Sequence, residues 1–249
     1  MKKTETKNPA VLIENLDKYL DGKQILFGIN LSIGSGEVFG FLGPNGAGKT
    51  TTMKAILGLI RPDAGTIQIL DDSTLSNETK EKIGFMPENT YLYKYLTGRE
   101  FLRFNGKFFH ISDTELDERI EEILRKVGLE TAGDKLLAKY SKGMLQRIGL
   151  GQAIINNPSV VFLDEPMSGL DPIGRKMVKD LILELKSNGT TVFFNTHILS
   201  DVESICDSFA IIHQGHLVAS DCVKNLDKPL EEYFIEKIHE NTEGKLEVC

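Results

Sequence analysis

The sequence predicts an α/β fold interrupted by a helical segment, and three observations carry that prediction. Strand-like and helix-like runs alternate along most of the chain. A short apolar strand, Glu37–Leu42, runs directly into a glycine-rich loop that opens a helix. Between the first strands and the later ones lies a stretch with helical periodicity and no strand signal. At 249 residues the chain has room for one large domain or two small ones, and it contains no internal repeat, low-complexity tract or evident linker.

The opening third reads as strands. Within Ile25–Ile33 the side chains of Ile29, Leu31 and Ile33 share one face, as a period of two requires. Gly34-Ser35-Gly36 is a turn, and Glu37–Leu42 follows as the strand that leads into the loop. The helix after the loop starts at about Lys49, carries Met53, Ile56, Leu57 and Ile60 on one stripe, and is expected to end at Pro62. Thr97–Ile111 is rich in aromatics, and Phe101, Phe104, Phe108 and Phe109 read as core. Ser112 and Glu115 form a capping-box signal. The helix behind them sets Leu116, Ile120, Ile123, Leu124 and Val127 on one face, with Gly128 as its C-cap. Strands return at Val160–Leu163, Thr191–Phe194 and Phe209–Ile212, separated by helices at about Arg175–Ser187 and Leu199–Cys206. Gln214-Gly215 is a tight hairpin turn into Leu217–Ala219, and the charged stretch from Asp221 to Cys249 reads as a helix with a frayed end.

Composition narrows the class. Hydrophobic residues make up 41% and charged residues 26%, ordinary values for a soluble globular protein. The formal net charge of −7 argues against a dedicated nucleic-acid binder. The three cysteines, Cys206, Cys222 and Cys249, share no metal-like spacing and suit a reducing compartment, each thiol packed or idle. The charged start, Met1–Asn8, is followed by no apolar signal core, and no apolar run approaches the ~18–20 residues that span a bilayer. A cytosolic location is expected, unless something else holds the protein at a membrane.

Gly43-Pro44-Asn45-Gly46-Ala47-Gly48-Lys49-Thr50 fits G-x-x-x-x-G-K-[ST] at every fixed position. It also lies where the physics needs it, after a strand and at a helix N-terminus. Glycines let the backbone turn its N–H groups inward around a phosphate, and the helix end adds a partial positive charge. Lys49 can reach the β- and γ-phosphates of ATP, the Thr50 hydroxyl can ligate Mg²⁺, and Thr51 is placed for a further phosphate contact.

A second signal lies at Val160–Glu165, an apolar strand ending in two carboxylates. A buried parallel strand explains the apolar run but not two adjacent acids at its carboxyl end, where α/β sheets place ligands. Asp164 suits Mg²⁺, directly or one layer out. Glu165 points the other way and can polarise an attacking water. A solvated acidic turn is the plain alternative.

With the loop and acid pair in hand, the chain resembles the nucleotide-binding subunit of an ATP-binding cassette (ABC) transporter, from about Val11 to Ala219. The resemblance implies a P-loop NTPase (RecA-like) α/β core with N-terminal antiparallel strands and a helical subdomain bearing a signature sequence. It implies one ABC ATP-binding domain over 10–249, with 10–88 and 156–220 as the α/β core, 89–155 as the helical subdomain and 221–249 as a short tail. The family's signature wording, Leu-Ser-Gly-Gly-Gln, falls at Tyr140-Ser141-Lys142-Gly143-Met144, before Leu145-Gln146-Arg147; Ser141 and Gly143 match, Lys142 and Met144 do not. Lys142 adds a cation there or lies on the surface. Ser168-Gly169-Leu170-Asp171 is similar to the loop in which Asp171 would couple two ATP sites, and His197 matches the histidine that senses the γ-phosphate and holds water with Glu165. Tyr19 lies close to the aromatic that stacks on adenine; a plain core tyrosine is the other reading. Where the family often has glutamine after the strand Ile83–Pro87, Glu88 stands as the implied Mg²⁺ ligand.

The implied cofactors are ATP and Mg²⁺. The implied partners are an integral membrane permease and a second copy or paired ABC subunit closing head to tail over two ATP molecules, with no nucleic acid. The resemblance favours exporters with separately encoded permeases, and a peripheral location on the inner face of the membrane. Asn89–Leu96, with Tyr91, Tyr93 and Tyr95 at alternating positions, lies where the family docks its permease; packing within the helical segment is the other reading. Two rival functions are a soluble ABC ATPase acting on ribosome or DNA, which the acidic charge and single cassette disfavour, and a non-hydrolysing regulatory cassette, which Lys49, Asp164, Glu165 and His197 disfavour.

Overall fold

The computed structural model describes residues 8–88 and 92–246, with 242–246 described by backbone alone. The described chain divides into two compact units: one runs up to Thr79 and resumes at Asn195, the other is Lys80–Phe194.

In the first unit, β1 (Val11–Leu20), β2 (Lys23–Ile33) and β4 (Ala64–Ile69) form an antiparallel sheet in the order β2-β1-β4. Ile29, Leu31 and Ile33 are buried while Gly28, Asn30 and Ser32 are exposed, so alternation holds to the end of β2. It breaks at Gly28 (φ 56), where the β1 register jumps from Leu16↔Ile29 to Lys18↔Leu26. This bulge leaves Leu26 facing inward. β3 (Val38–Leu42) is buried throughout and pairs in parallel with β8 (Ser208–His213), which turns back into β9 (His216–Cys222). Gln214 and Gly215 both have positive φ, the turn that matches strand twist. α1 (Lys49–Ile56), α7 (Leu199–Ile205) and α8 (Leu230–Leu246) complete this unit, with the short α2 (Asn77–Glu81) at its edge.

In the second unit, β5 (Ile83–Met86) pairs in parallel with β6 (Val160–Asp164), and β7 (Thr191–Thr196) lies next to β6. The helical segment consists of α3 (Gly98–Gly106), α4 (Asp113–Lys126) and α5 (Lys142–Ala153); α6 (Pro172–Ser187) follows β6. The α4 stripe is buried as its spacing predicts: Leu116, Ile120, Ile123, Leu124 and Val127 are at most 4% exposed. Gly151 faces α4 so closely that a Cβ there would lie 2.8 Å from the Ile123 side chain.

Three expectations need correction. The helix after the loop stops at Ile56, well before Pro62. Gly58 (φ 66) ends it: Gly58 N–H donates to Ala55 O and Leu59 N–H to Lys54 O, a Schellman closure that leaves Ile60 outside the helix. Ser112 caps α4 by accepting from Glu115 N–H, but the Glu115 carboxylate does not reach back; it pairs with Arg119. The reciprocal box is at α3, between Thr97 and Glu100. Finally, only Phe101 of the phenylalanines read as core is buried; Phe104 and Phe108 are 42% and 68% exposed, and Phe109 is intermediate. α3 is only nine residues long, and its inward stripe is Gly98, Phe101, Leu102 and Gly106, which leaves Phe104 on the outer side. The positions Asn89, Thr90, Tyr91 and Cys249 lie outside the described residues.

Candidate functional site

The glycine-rich loop is built by close approach as well as by torsion. A Cβ on Gly43 would lie 2.4 Å from the Ile212 carbonyl oxygen, and one on Gly48 (φ 113) 2.8 Å from the Leu26 side chain. Gly46 (φ 79) has open space around it, so its need is conformational. Pro44, Asn45 and Gly46 are exposed at the loop's tip, while Gly43, Ala47, Gly48 and Lys49 are buried. Lys49 Nζ lies within the loop, donating to the carbonyls of Gly43 at 2.7 Å and Pro44 at 3.1 Å. The β8–β9 turn braces it from outside: Gly215 N–H donates to Ala47 O at 2.9 Å. Thr50 and Thr51 are half-buried in the first turn of α1, and Thr52 is fully buried with its hydroxyl donating to Gly48 O.

Two more candidates belong to the same unit. Tyr19, near the end of β1, is 47% exposed and is not a core residue. Its hydroxyl donates to Gln24 Oε1 at 2.9 Å and its N–H to Asp63, which fixes the ring's direction. His197 is exposed just beyond β7.

The remaining candidates lie in the second unit. Asp164 ends β6 and is 3% exposed; Glu165 follows at 8% with φ 51, a left-handed backbone that non-glycine residues seldom adopt. Glu88 is exposed two residues past β5. Ser141 is the N-cap of α5, its hydroxyl accepting from Met144 N–H, and Asp171 is the N-cap of α6, accepting from Gly174 N–H at 2.7 Å. Both helix ends, with Gly143 and Gly169, line one cavity of about 330 Å³. Tyr140, where the family wording has leucine, is buried and donates to Ala132 O at 2.8 Å, and burial pushes its hydroxyl above the ordinary tyrosine pKa. Arg147 Nη1 donates to the terminal carbonyls of α4 at Val127 and Gly128, tying α5 to α4. One participant escaped the sequence reading: Gln146 is buried and donates to Glu165 O at 3.0 Å.

The sequence profile of the ABC transporter family matches residues 26–168. The chain belongs to the ABC transporter family. An uncharacterised ABC transporter ATP-binding protein of Nostoc sp. is 51% identical over 81% of this chain, and the chain spans 61% of that relative's length. The bacitracin transport ATP-binding protein of Bacillus licheniformis is 39% identical over 88% of the chain and 72% of its own length. A solved ATP-binding subunit of an ABC transporter superposes with a TM-score of 0.85 at 29% identity, covering 92% of this chain and 99% of that one.

The fold is therefore the RecA-like P-loop core of ABC ATPases with N-terminal β-strands and a helical subdomain. The residues of this ABC subunit fit a bound phosphate chain: Gly43 and Gly48 leave no room for side chains, and the buried Lys49 ammonium is aimed into the loop. No group of three His, Cys, Asp or Glu among the described residues can hold a metal on its own.

Proposed function

We propose that this ABC subunit binds Mg·ATP and hydrolyses it as one of two subunits closed head to tail, driving a separate membrane permease, in the direction of export. The observation that carries the paired arrangement is the cavity where the capped N-termini of α5 and α6 converge. Such ends supply oriented N–H groups and partial positive charge, the requirements of a γ-phosphate. The Gly43–Thr50 loop supplies one face of an ATP site, and Ser141 and Gly143 of the partner copy supply the other.

Within that arrangement the loop N–H groups hold the phosphates. Lys49 exchanges its two carbonyl contacts for phosphate oxygens. Tyr19 offers a ring for adenine, its hydroxyl already held by Gln24. Thr51 gives a further phosphate contact. Thr50, Glu88 and Asp164 would hold Mg²⁺, which supplies charge neutralisation on the transferred phosphoryl group. Glu165 takes the proton from the attacking water, His197 senses the γ-phosphate and orients that water, and Asp171 links the two ATP sites across the pair.

Among the described residues no helix is long and apolar enough to cross a membrane. We place the subunit on the inner face of the cell membrane, held there by that permease. The bacitracin transport relative supports assignment to transport.

Glu165→Gln tests the reading. Loss of one acid–base group costs ~10²–10⁴ in rate, so turnover should nearly vanish while ATP binding persists and a trapped dimer accumulates on size-exclusion chromatography with Mg·ATP. A wild-type rate refutes the assignment of the base. Lys49→Ala should instead weaken ATP binding itself.

A further inference from the structure

Gln146 lies in the signature stretch, yet the nucleotide reading gives it no task. It is one turn into α5, 8% exposed, and faces inward. Its Nε2 donates to the main-chain carbonyl of Glu165 at 3.0 Å in a buried contact. The same carbonyl accepts the Ser168 N–H at 3.1 Å, so two donors from different segments converge on one oxygen. The residue carrying that oxygen has φ 51, and nothing about a glutamate favours such a torsion; surrounding contacts must hold it.

We propose that Gln146 is a positioning residue for Glu165, its amide holding the Glu165 peptide so that the left-handed backbone, and with it the aim of the carboxylate, is kept. The inference rests on the reading of Glu165 as the base. A buried amide bonded to a buried carbonyl is strong in this setting, because removing the donor leaves the acceptor without that partner away from water. The bond also has a mechanical consequence. Ser141 caps the same helix, and an α-helix of five residues spans about 7.5 Å as a stiff rod. The helix end offered to the partner's ATP and the base used on the subunit's own ATP are thus joined by one short helix and one hydrogen bond.

The test uses the purified full chain and three variants. Gln146→Met keeps the volume and removes the donor. Gln146→Glu keeps the shape and sets an acceptor where the donor was. Glu165→Gln is the reference. Steady-state hydrolysis, binding of a fluorescent ATP analogue and thermal unfolding are measured for each. Both Gln146 variants should lose roughly 10- to 100-fold in kcat, the scale of a misplaced catalytic group, with ATP affinity unchanged and the melting temperature lowered by loss of the buried hydrogen bond. In the Glu165→Gln background, adding Gln146→Met should change the residual rate by less than about twofold, because the two act as a unit. Wild-type kcat in both Gln146 variants, beside an inactive Glu165→Gln, overturns the inference alone. So does a kcat loss that persists undiminished without Glu165, or that comes with an equal loss of ATP affinity. Wild-type turnover in Glu165→Gln overturns the reading of the base, and the inference with it.

Discussion

At the scale of single residues, the candidate site divides by how local its signals are. Lys49, Thr50 and the glycines announce themselves because the loop's geometry is written in consecutive residues, and the close approaches at Gly43 and Gly48 show why glycine is required there. Gln146 could not be found that way, since its role depends on a side-chain contact between α5 and the turn after β6. Glu88, a proposed Mg²⁺ ligand, is one residue whose chemistry departs from the family wording. A carboxylate in place of a neutral amide oxygen binds Mg²⁺ more tightly but repels a γ-phosphate that the metal has not neutralised. Glu88→Gln should therefore retain hydrolysis while moving the half-saturating Mg²⁺ concentration upward. An ATPase titration against free Mg²⁺ checks this, and an unchanged midpoint refutes it.

At the scale of elements, a tightly packed contact joins β5 to the end of α5. A Cβ on Gly84 would lie 1.9 Å from the Ala153 carbonyl oxygen, a backbone atom that no rotamer change can move. Gly84→Ala must push α5 away from β5, and overpacking of this kind typically costs about 1–3 kcal/mol. For a chain of this length that corresponds to a melting temperature lower by roughly 2–12 °C, read by calorimetry; an unchanged value would mean the contact yields freely. Element ends show what the sequence made legible. Gly128 is legible as a cap because a periodic stripe leads up to it, whereas Gly58 closes α1 by the same Schellman geometry but lies inside a run whose apolar stripe continues to Ile60. Thr97 and Glu100 carry the box spacing, but the aromatics that follow them mask it with a pattern that resembles core packing. Side-chain direction, which decides whether Phe104 points in or out, depends on where a helix begins, and α3 begins at a cap hidden within the aromatic stretch.

At the scale of the whole molecule, the permease partner proposed above needs a surface on which to dock. The exposed phenylalanines of α3 join the tyrosines before it in one surface: Tyr93 meets Tyr95 at 5.8 Å and Phe104 at 5.3 Å, and Phe104 meets Phe108 at 5.2 Å. Tyr95 and Phe108, at the two ends, are 72% and 68% exposed. Four linked rings in water are costly to leave uncovered, and aromatic anchors of this kind dominate interface energies. Introducing a charge at each end should expel the partner without disturbing the buried core, since neither ring contributes to it. Tyr95→Asp with Phe108→Asp should cost about 2 kcal/mol or more of binding, at least ~30-fold in affinity. Co-purification of the membrane permease from gently solubilised membranes should then fail, while the subunit still binds ATP and melts at its original temperature. Retention of the permease by the double variant would move the docking site elsewhere on the subunit. Loss of ATP binding would show instead that these rings support the fold, which their exposure argues against.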